Sequence, residues 1–277
     1  MTDSITIISY VTFIFGISAL CYAVGWIFRA GWANIAGTAA MVVATLGNLA
    51  AFILRWMETH WLGFGHMPLA SLYESLIFFS LTIGIIYLYV EYRFRYRVIG
   101  FFAALSAFLA LAYASLPTVG SQIQPLMPAL QSNWLIIHVM TYFFGYAALT
   151  LAFCVSLLFL LKSAGQNPDT GFRAHIPGFK TLDDLTYQLV MFGFLFITLG
   201  LITGAVWAEQ AWGRYWGWDP KETWSLITWF VYATLLHARL MRGWEGKRLA
   251  YLSILGFSAM LFTYFGVNLL PGLHSYL

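Results

Sequence analysis

Eight apolar runs divide this chain, each close to the ~20 residues an α-helix needs to cross the hydrocarbon core of a bilayer. They cover residues 4–28, 33–54, 69–90, 98–116, 134–161, 184–206, 224–240 and 249–269, the seventh being the shortest. Runs this long and apolar cross as helices, because the bilayer core offers no water to satisfy open peptide groups. Charged residues make up only 9% of the chain, where a soluble domain carries about 25%. The expectation is an all-α, polytopic membrane helical bundle of about eight transmembrane helices, forming one membrane domain over residues 1–277. The first run is too long for a signal-peptide core and has no basic start, so it counts as a helix.

The basic residues orient the bundle. Arg29, Arg93, Arg95, Arg97, Lys162, Arg173, Lys180, Arg239, Arg242, Lys247 and Arg248 all fall in turns on one side, eleven of the fourteen lysines and arginines. The other side keeps Arg55, Arg214 and Lys221. The basic side is therefore assigned to the cytoplasm. Both termini then lie on the extracytoplasmic side with the loops 55–68, 117–133 and 207–223. A net charge of +3 is accounted for by this topology and gives no reason to expect nucleic acid. Cys21 and Cys154 stand alone in separate spans and form no CxxC, so the chain carries no dithiol motif. Pro117, Pro125 and Pro128 prevent loop 115–133 from being one continuous helix.

Residues 207–229, WAEQAWGRYWGWDPKETWSLITW, hold six tryptophans in 23 positions. An interfacial aromatic belt uses only a ring or two at each helix end. Many indoles together offer large rigid faces to a broad, flat, apolar ligand, so the segment reads as a platform at the outer membrane surface. Gly213 and Gly217 permit a bent backbone between its rings. Asp219-Pro220-Lys221-Glu222 reads as a helix start, with an acidic N-cap, proline at the first helical position and glutamate three residues after the cap.

Six histidines are the candidate ligands. His138 lies about one turn inside span five and His274 a few residues beyond span eight, both on the outer side. Two imidazoles and a tryptophan platform thus reach one interface from three parts of the chain, and a pair of neutral imidazoles is a common way to hold haem iron. His237 lies thirteen residues beyond Trp224, roughly 20 Å deeper, too far to share that iron. Two readings of His237 stand open: a functional group lining the bundle interior, or a headgroup-level residue beside Arg239. If it binds haem, its opposite ligand comes from elsewhere. His60 and His66 read as structural, as does His175 in the connector 162–183. Glu74, inside the outer end of span three, needs a partner: a histidine, a haem propionate through a cation, or Arg55.

WGRYWGWDPKETWSLITW resembles the tryptophan-rich "WWD" signature of haem-handling proteins in cytochrome c maturation. GHMPLASLYESLIF and PALQSNWLIIHV are similar to segments of the CcsA (ResC) type subunit of system II cytochrome c synthases. The resemblance runs from about residue 66 to the C-terminus, some three quarters of the chain. It implies that His138 and His274 are axial ligands of haem b on the outer face. Trp207, Trp212, Trp216, Trp218 and Trp224 would pack against the macrocycle, and His237 would contact haem in transit. It also implies a membrane partner of the CcsB (ResB) type supplying the ligand opposite His237, and apocytochrome c as the acceptor at its CxxCH motif. On that reading the chain is a subunit of a holocytochrome c synthase in a bacterial cytoplasmic membrane, with its site on the periplasmic side. Asp219 joins His138 and His274 in the candidate catalytic set, although its place as a helix cap already accounts for it.

Other functions fit less well. A membrane cytochrome passing electrons between haems needs two histidine pairs at matched depths, and only the external pair is matched. A transporter with an aromatic gate should have helices broken at mid-membrane, whereas the breaks here are at the surface. A haem exporter without ligation activity is the nearest alternative. A purely structural scaffold leaves the tryptophans unexplained.

Overall fold

Helix boundaries follow the caps written into the sequence. In the computed structural model, which describes residues 3–164 and 170–270, the long helices are α1 (Ser4–Ile27), α2 (Gly31–Trp61), α3 (Leu72–Phe94), α4 (Val98–Ala114), α5 (Asn133–Ser163), α6 (Phe179–Trp212), α7 (Pro220–Arg242) and α8 (Lys247–Tyr264). Asp3, Ser71, Ser132 and Asp219 cap α1, α3, α5 and α7 with their side-chain oxygens, satisfying backbone N–H groups that a helix start leaves open. Short 3₁₀ turns at Pro117–Val119, Pro128–Leu130, Gly171–His175 and Gly266–Leu269 complete the ordered elements, and there is no strand among the described residues. The fold is all-α. Five helices (α1, α2, α3, α5 and α6) are long and apolar enough to cross a membrane, and the apolar α4 is one residue short of that length class at 17. This is an integral membrane protein.

Two helices outrun the sequence expectation. α6 has 34 residues, about 51 Å at the α-helical rise, against roughly 30 Å of hydrocarbon. Hydropathy marks only the part of a helix that matches lipid, so residues 207–212 continue α6 instead of opening a loop. α2 likewise runs on to Trp61, beyond the expected end at residue 54. The connection between α6 and α7 therefore shrinks from 207–223 to the seven residues between Trp212 and Pro220.

The chain forms two compact units, α1–α4 with the 171–175 turn in one and α5–α8 in the other. In the first, Glu91 ties one end together. Its carboxylate accepts from Tyr22 (2.6 Å), Tyr87 (2.7 Å), Thr38 (2.5 Å) and Arg97 Nε (3.1 Å), so a buried charge is fully hydrogen-bonded. At the opposite end Arg55 and Glu74 form a buried ion pair at 3.0 Å, with side-chain exposures of 2% and 3%. Arg55 also donates to the Ser121 carbonyl at 2.8 Å and lies 4.8 Å over the Tyr73 ring. Glu74 accepts from the Ala70 and Ser71 backbones at the start of α3. Of the three partners open to Glu74 from sequence, the structure selects Arg55.

In the second unit α5 and α6 pack backbone to backbone. A Cβ on Gly145 would lie 3.1 Å from the Gly193 carbonyl, and one on Gly193 would lie 3.2 Å from that of Gly145. Small residues allow this approach where no hydrophobic force drives membrane helices together. Phe153 of α5 stacks on Phe257 of α8 at 4.0 Å. Asp183 of α6 binds Arg239 of α7 and accepts from the Gly246 backbone ahead of α8 at 2.7 Å, which ties three elements at that unit's basic end.

Candidate haem site

The site is built where α5 begins and α6 ends, within the second unit. Ser132 caps α5 and its hydroxyl donates to Gln210 of α6 at 2.7 Å. One turn further along α5, His138 lies half-buried against α6. Its Nδ1 is 2.8 Å from the Gly200 carbonyl. A carbonyl can only accept, so Nδ1 carries a proton in this bond. Nearly all metal-binding histidines are held this way, the second ring nitrogen donating to a carbonyl or carboxylate that fixes tautomer and orientation.

Two glycines one turn apart make the pocket for that ring. A Cβ on Gly204 would sit 2.5 Å from both Cε1 and Nδ1 of His138, and one on Gly200 would sit 2.5 Å from the Tyr142 ring. Tyr142 meets the His138 ring edge-on at 4.9 Å, and Trp207 stacks on it at 5.8 Å with an interplanar angle of 20°. Trp207 is only 2% exposed, so it backs the histidine from inside the unit. These supports went unseen in the sequence, although Gly200-x-x-x-Gly204 has the small-residue spacing of close helix packing.

Four further indoles of the segment fall in three places. Trp212, on the last turn of α6, meets Trp207 edge-on at 4.9 Å. Gly213 then ends the helix in the left-handed region (φ 71°), its N–H bonded to the Glu209 carbonyl at 2.7 Å, the usual reason for glycine there. Gly217, expected to share that role, is not left-handed; Trp218 is (φ 56°). Instead Gly217 lies where a Cβ would strike the Arg214 guanidinium at 2.6 Å. Trp216 meets Trp218 edge-on at 5.8 Å, and Trp218 is 68% exposed. Trp224, on the first turn of α7, packs on Phe262 of α8 at 4.1 Å.

The start of α7 is the capping box expected from its sequence. Asp219 accepts from Lys221 N at 2.9 Å, while Glu222 Oε2 accepts from Asp219 N at 3.1 Å and from Gly217 N at 2.7 Å. Glu222 thus fixes the turn that carries Trp216 and Trp218 as well as the helix that carries Trp224.

His237 lies five residues before the end of α7 and is exposed on the helix surface, so it faces outward from its unit and does not line its interior. His274 lies outside the described residues. His66 is buried, its Nε2 3.0 Å from the Gln124 carbonyl, and the exposed His60 binds the Trp56 carbonyl at 2.9 Å. His66 thus serves the loop after α2, while the bond of His60 lies within α2 itself. His175 has work of its own: Nδ1 donates to the Trp26 carbonyl at 2.9 Å and Nε2 accepts from Arg29. Among the described residues no three histidines, cysteines or acidic groups gather as a metal cage. Iron in a porphyrin needs only one protein ligand per face, and an oriented His138 fits that requirement.

Known proteins were compared with this architecture. The family described as Cytochrome C assembly protein matches residues 69–274. The cytochrome c biogenesis protein CcsA of Trieres chinensis is 37% identical over 298 residues, covering 95% of both chains. CcsA of Prochlorococcus marinus is 40% identical, covering 85% of this chain and 83% of its own length. The solved structure of the cytochrome c haem lyase CcmF aligns at a TM-score of 0.73 with 18% identity. It covers 96% of this chain, which spans just under half (47%) of the CcmF chain; at that identity the likeness is one of fold. On the family match and the long CcsA alignments, the chain belongs to the cytochrome c assembly family as a CcsA-type membrane protein of cytochrome c maturation.

Proposed function

We propose that this chain is the haem-handling subunit of a system II cytochrome c synthase. It takes haem b from the cytoplasmic side, passes it by His237, and presents it on the outer face to apocytochrome c. The observation that carries the reading is the hydrogen bond from His138 Nδ1 to the Gly200 carbonyl, which holds the imidazole in one orientation beside a tryptophan-rich turn. His274 would supply the second axial ligand. Trp212, Trp216, Trp218 and Trp224 would wall the macrocycle, with Trp207 bracing His138. Because His237 is exposed on α7, it suits a haem shared with a CcsB-type partner, whose residue would bind the opposite face.

The chain's contribution to the chemistry is positioning. Each cysteine thiol of the CxxCH motif adds across one haem vinyl: a carbon–sulfur bond forms, the thiol hydrogen ends on the neighbouring vinyl carbon, and no oxidant or reductant is consumed. Holding thiol and vinyl together makes that addition effectively unimolecular, and the reactivity belongs to haem and thiol. Asp219, bound into the capping box, positions the turn in this scheme. The membrane would be a bacterial cytoplasmic membrane, with the basic helix ends inside.

The test is the absorption spectrum of the full chain co-purified with its partner. His138→Ala and His274→Ala should each lose bound haem, and added imidazole should restore it. A folded His138→Ala protein that keeps its haem, or that imidazole fails to reload, would show that His138 is only structural. His237→Ala should lower total haem with the outer spectrum unchanged.

A further inference from the structure

The first unit contains a cavity of about 510 Å³ at its basic end, lined by Trp26, Arg29, Asn34, Arg95, Arg97 and His175 among others. That volume is in the range of small-molecule sites. The ends of α1, α2, α3 and α4 meet around it with the 171–175 turn, which Trp26 holds by donating from Nε1 to the Phe172 carbonyl at 3.0 Å.

The charge in this cavity is unbalanced. Arg97 has Glu91 for a partner, but among the described residues neither Arg29 nor Arg95 pairs with a carboxylate. His175 accepts from Arg29 while donating to the Trp26 carbonyl, so it orients the guanidinium without neutralising it. Arg29 thereby occupies Nε2, the nitrogen that an iron would need. Arg95 rests on the Tyr92 ring at 5.7 Å.

The backbone fixes where both arginines stand. Among the described residues three non-glycine residues have positive φ, and two of them are Arg29 (57°) and Arg95 (63°). A long side chain is disfavoured in the left-handed region, where glycine costs nothing. Arg95 is the left-handed C-cap of α3, its N–H bonded to the Glu91 carbonyl at 2.8 Å, and Arg29 directly follows the C-cap of α1, so two helix ends set both arginines at the cavity. Beside the mouth, Ile27 and Phe28 are 52% and 73% exposed and present apolar surface next to the two cations.

We infer that this cavity binds the phosphate of an anionic phospholipid, with Arg29 and Arg95 holding the phosphate oxygens and the acyl chains lying along Ile27 and Phe28. Guanidinium forks match phosphate geometry. If the basic end faces the cytoplasm, it faces the leaflet whose anionic lipids basic pockets between helices recognise.

Native mass spectrometry of the full chain, taken from nanodiscs holding equal dioleoylphosphatidylglycerol and dioleoylphosphatidylcholine, tests this without haem. We expect one phosphatidylglycerol retained, at about tenfold preference. The double variant Arg29→Gly/Arg95→Gly should lose the preference while its thermal midpoint in phosphatidylcholine is no lower than the parent's, since glycine relieves the strain. Arg93→Gln, at the same end but outside the cavity, should keep it. Equal retention of the two lipids, or a preference surviving the double variant, overturns the inference. Displacement by inorganic phosphate alone assigns the cavity to a soluble phosphate, and displacement by haem makes it a porphyrin site; either also overturns the lipid.

Discussion

Gly204→Ala is the change that most directly separates a ligand role for His138 from a packing role. The added Cβ would lie 2.5 Å from Cε1 and Nδ1 of His138, where ordinary contacts are about 3.5–4.0 Å. α6 is continuous helix on both sides, so the imidazole has to retreat by about 1 Å. That breaks its 2.8 Å bond to Gly200 and disturbs its stacking on Trp207. Overpacking costs about 1–3 kcal/mol and the lost hydrogen bond about 0.5–1.5 kcal/mol. The better helix propensity of alanine returns about 1 kcal/mol. The net loss of stability, roughly 0.5–3.5 kcal/mol, leaves a folded protein. A metal-binding histidine without its orienting partner loses about 10–100-fold in affinity. The assay pairs the thermal midpoint with haem per chain, read by absorbance during competition with a soluble haem acceptor. Gly178→Ala, whose Cβ would enter open space, is the control and should change neither. If Gly204→Ala lowers the midpoint but keeps the parent's haem affinity and spectrum, His138 is not an iron ligand.

Asp219→Asn should keep cytochrome maturation near the parent level, because asparagine caps helices as well as aspartate, while Asp219→Ala costs about 1 kcal/mol in stability; loss of maturation in a folded Asp219→Asn chain would make the carboxylate an acid–base group. Trp218→Gly removes an exposed ring from a left-handed position and should raise stability by about 1 kcal/mol, while lowering haem retention if that ring walls the macrocycle; thermal midpoint and absorbance measure the two effects. Removing one member of the buried Arg55–Glu74 pair, as in Arg55→Met, should destabilise the first unit by about 3–5 kcal/mol. Arg55→Met with Glu74→Leu should recover much of that loss, as read by folded yield in detergent, and a double variant no better than the single would mean the pair's other contacts dominate.

Local chemistry was legible in the sequence. All eight helices lie where apolar runs of bilayer length predict them, and the Asp219 capping box appears as written, because hydropathy and capping involve residues a few positions apart. Helix ends carried past the lipid by polar or aromatic residues, such as 207–212 of α6, could not be read from hydropathy. Glu74 had three possible partners until the fold brought Arg55, nineteen positions away, to its side. The sequence by itself therefore determined an all-α membrane protein, the capped start of α7 and the residue types from which a haem site can be made. The tertiary structure decided how His138 is held, with Gly200 sixty-two positions along the chain accepting its Nδ1 proton. It also turned Trp207 inward and His237 outward, and it gathered two arginines without carboxylate partners around one cavity. Those outcomes depend on which helix faces pack together, and a face acquires its partner only when distant segments meet.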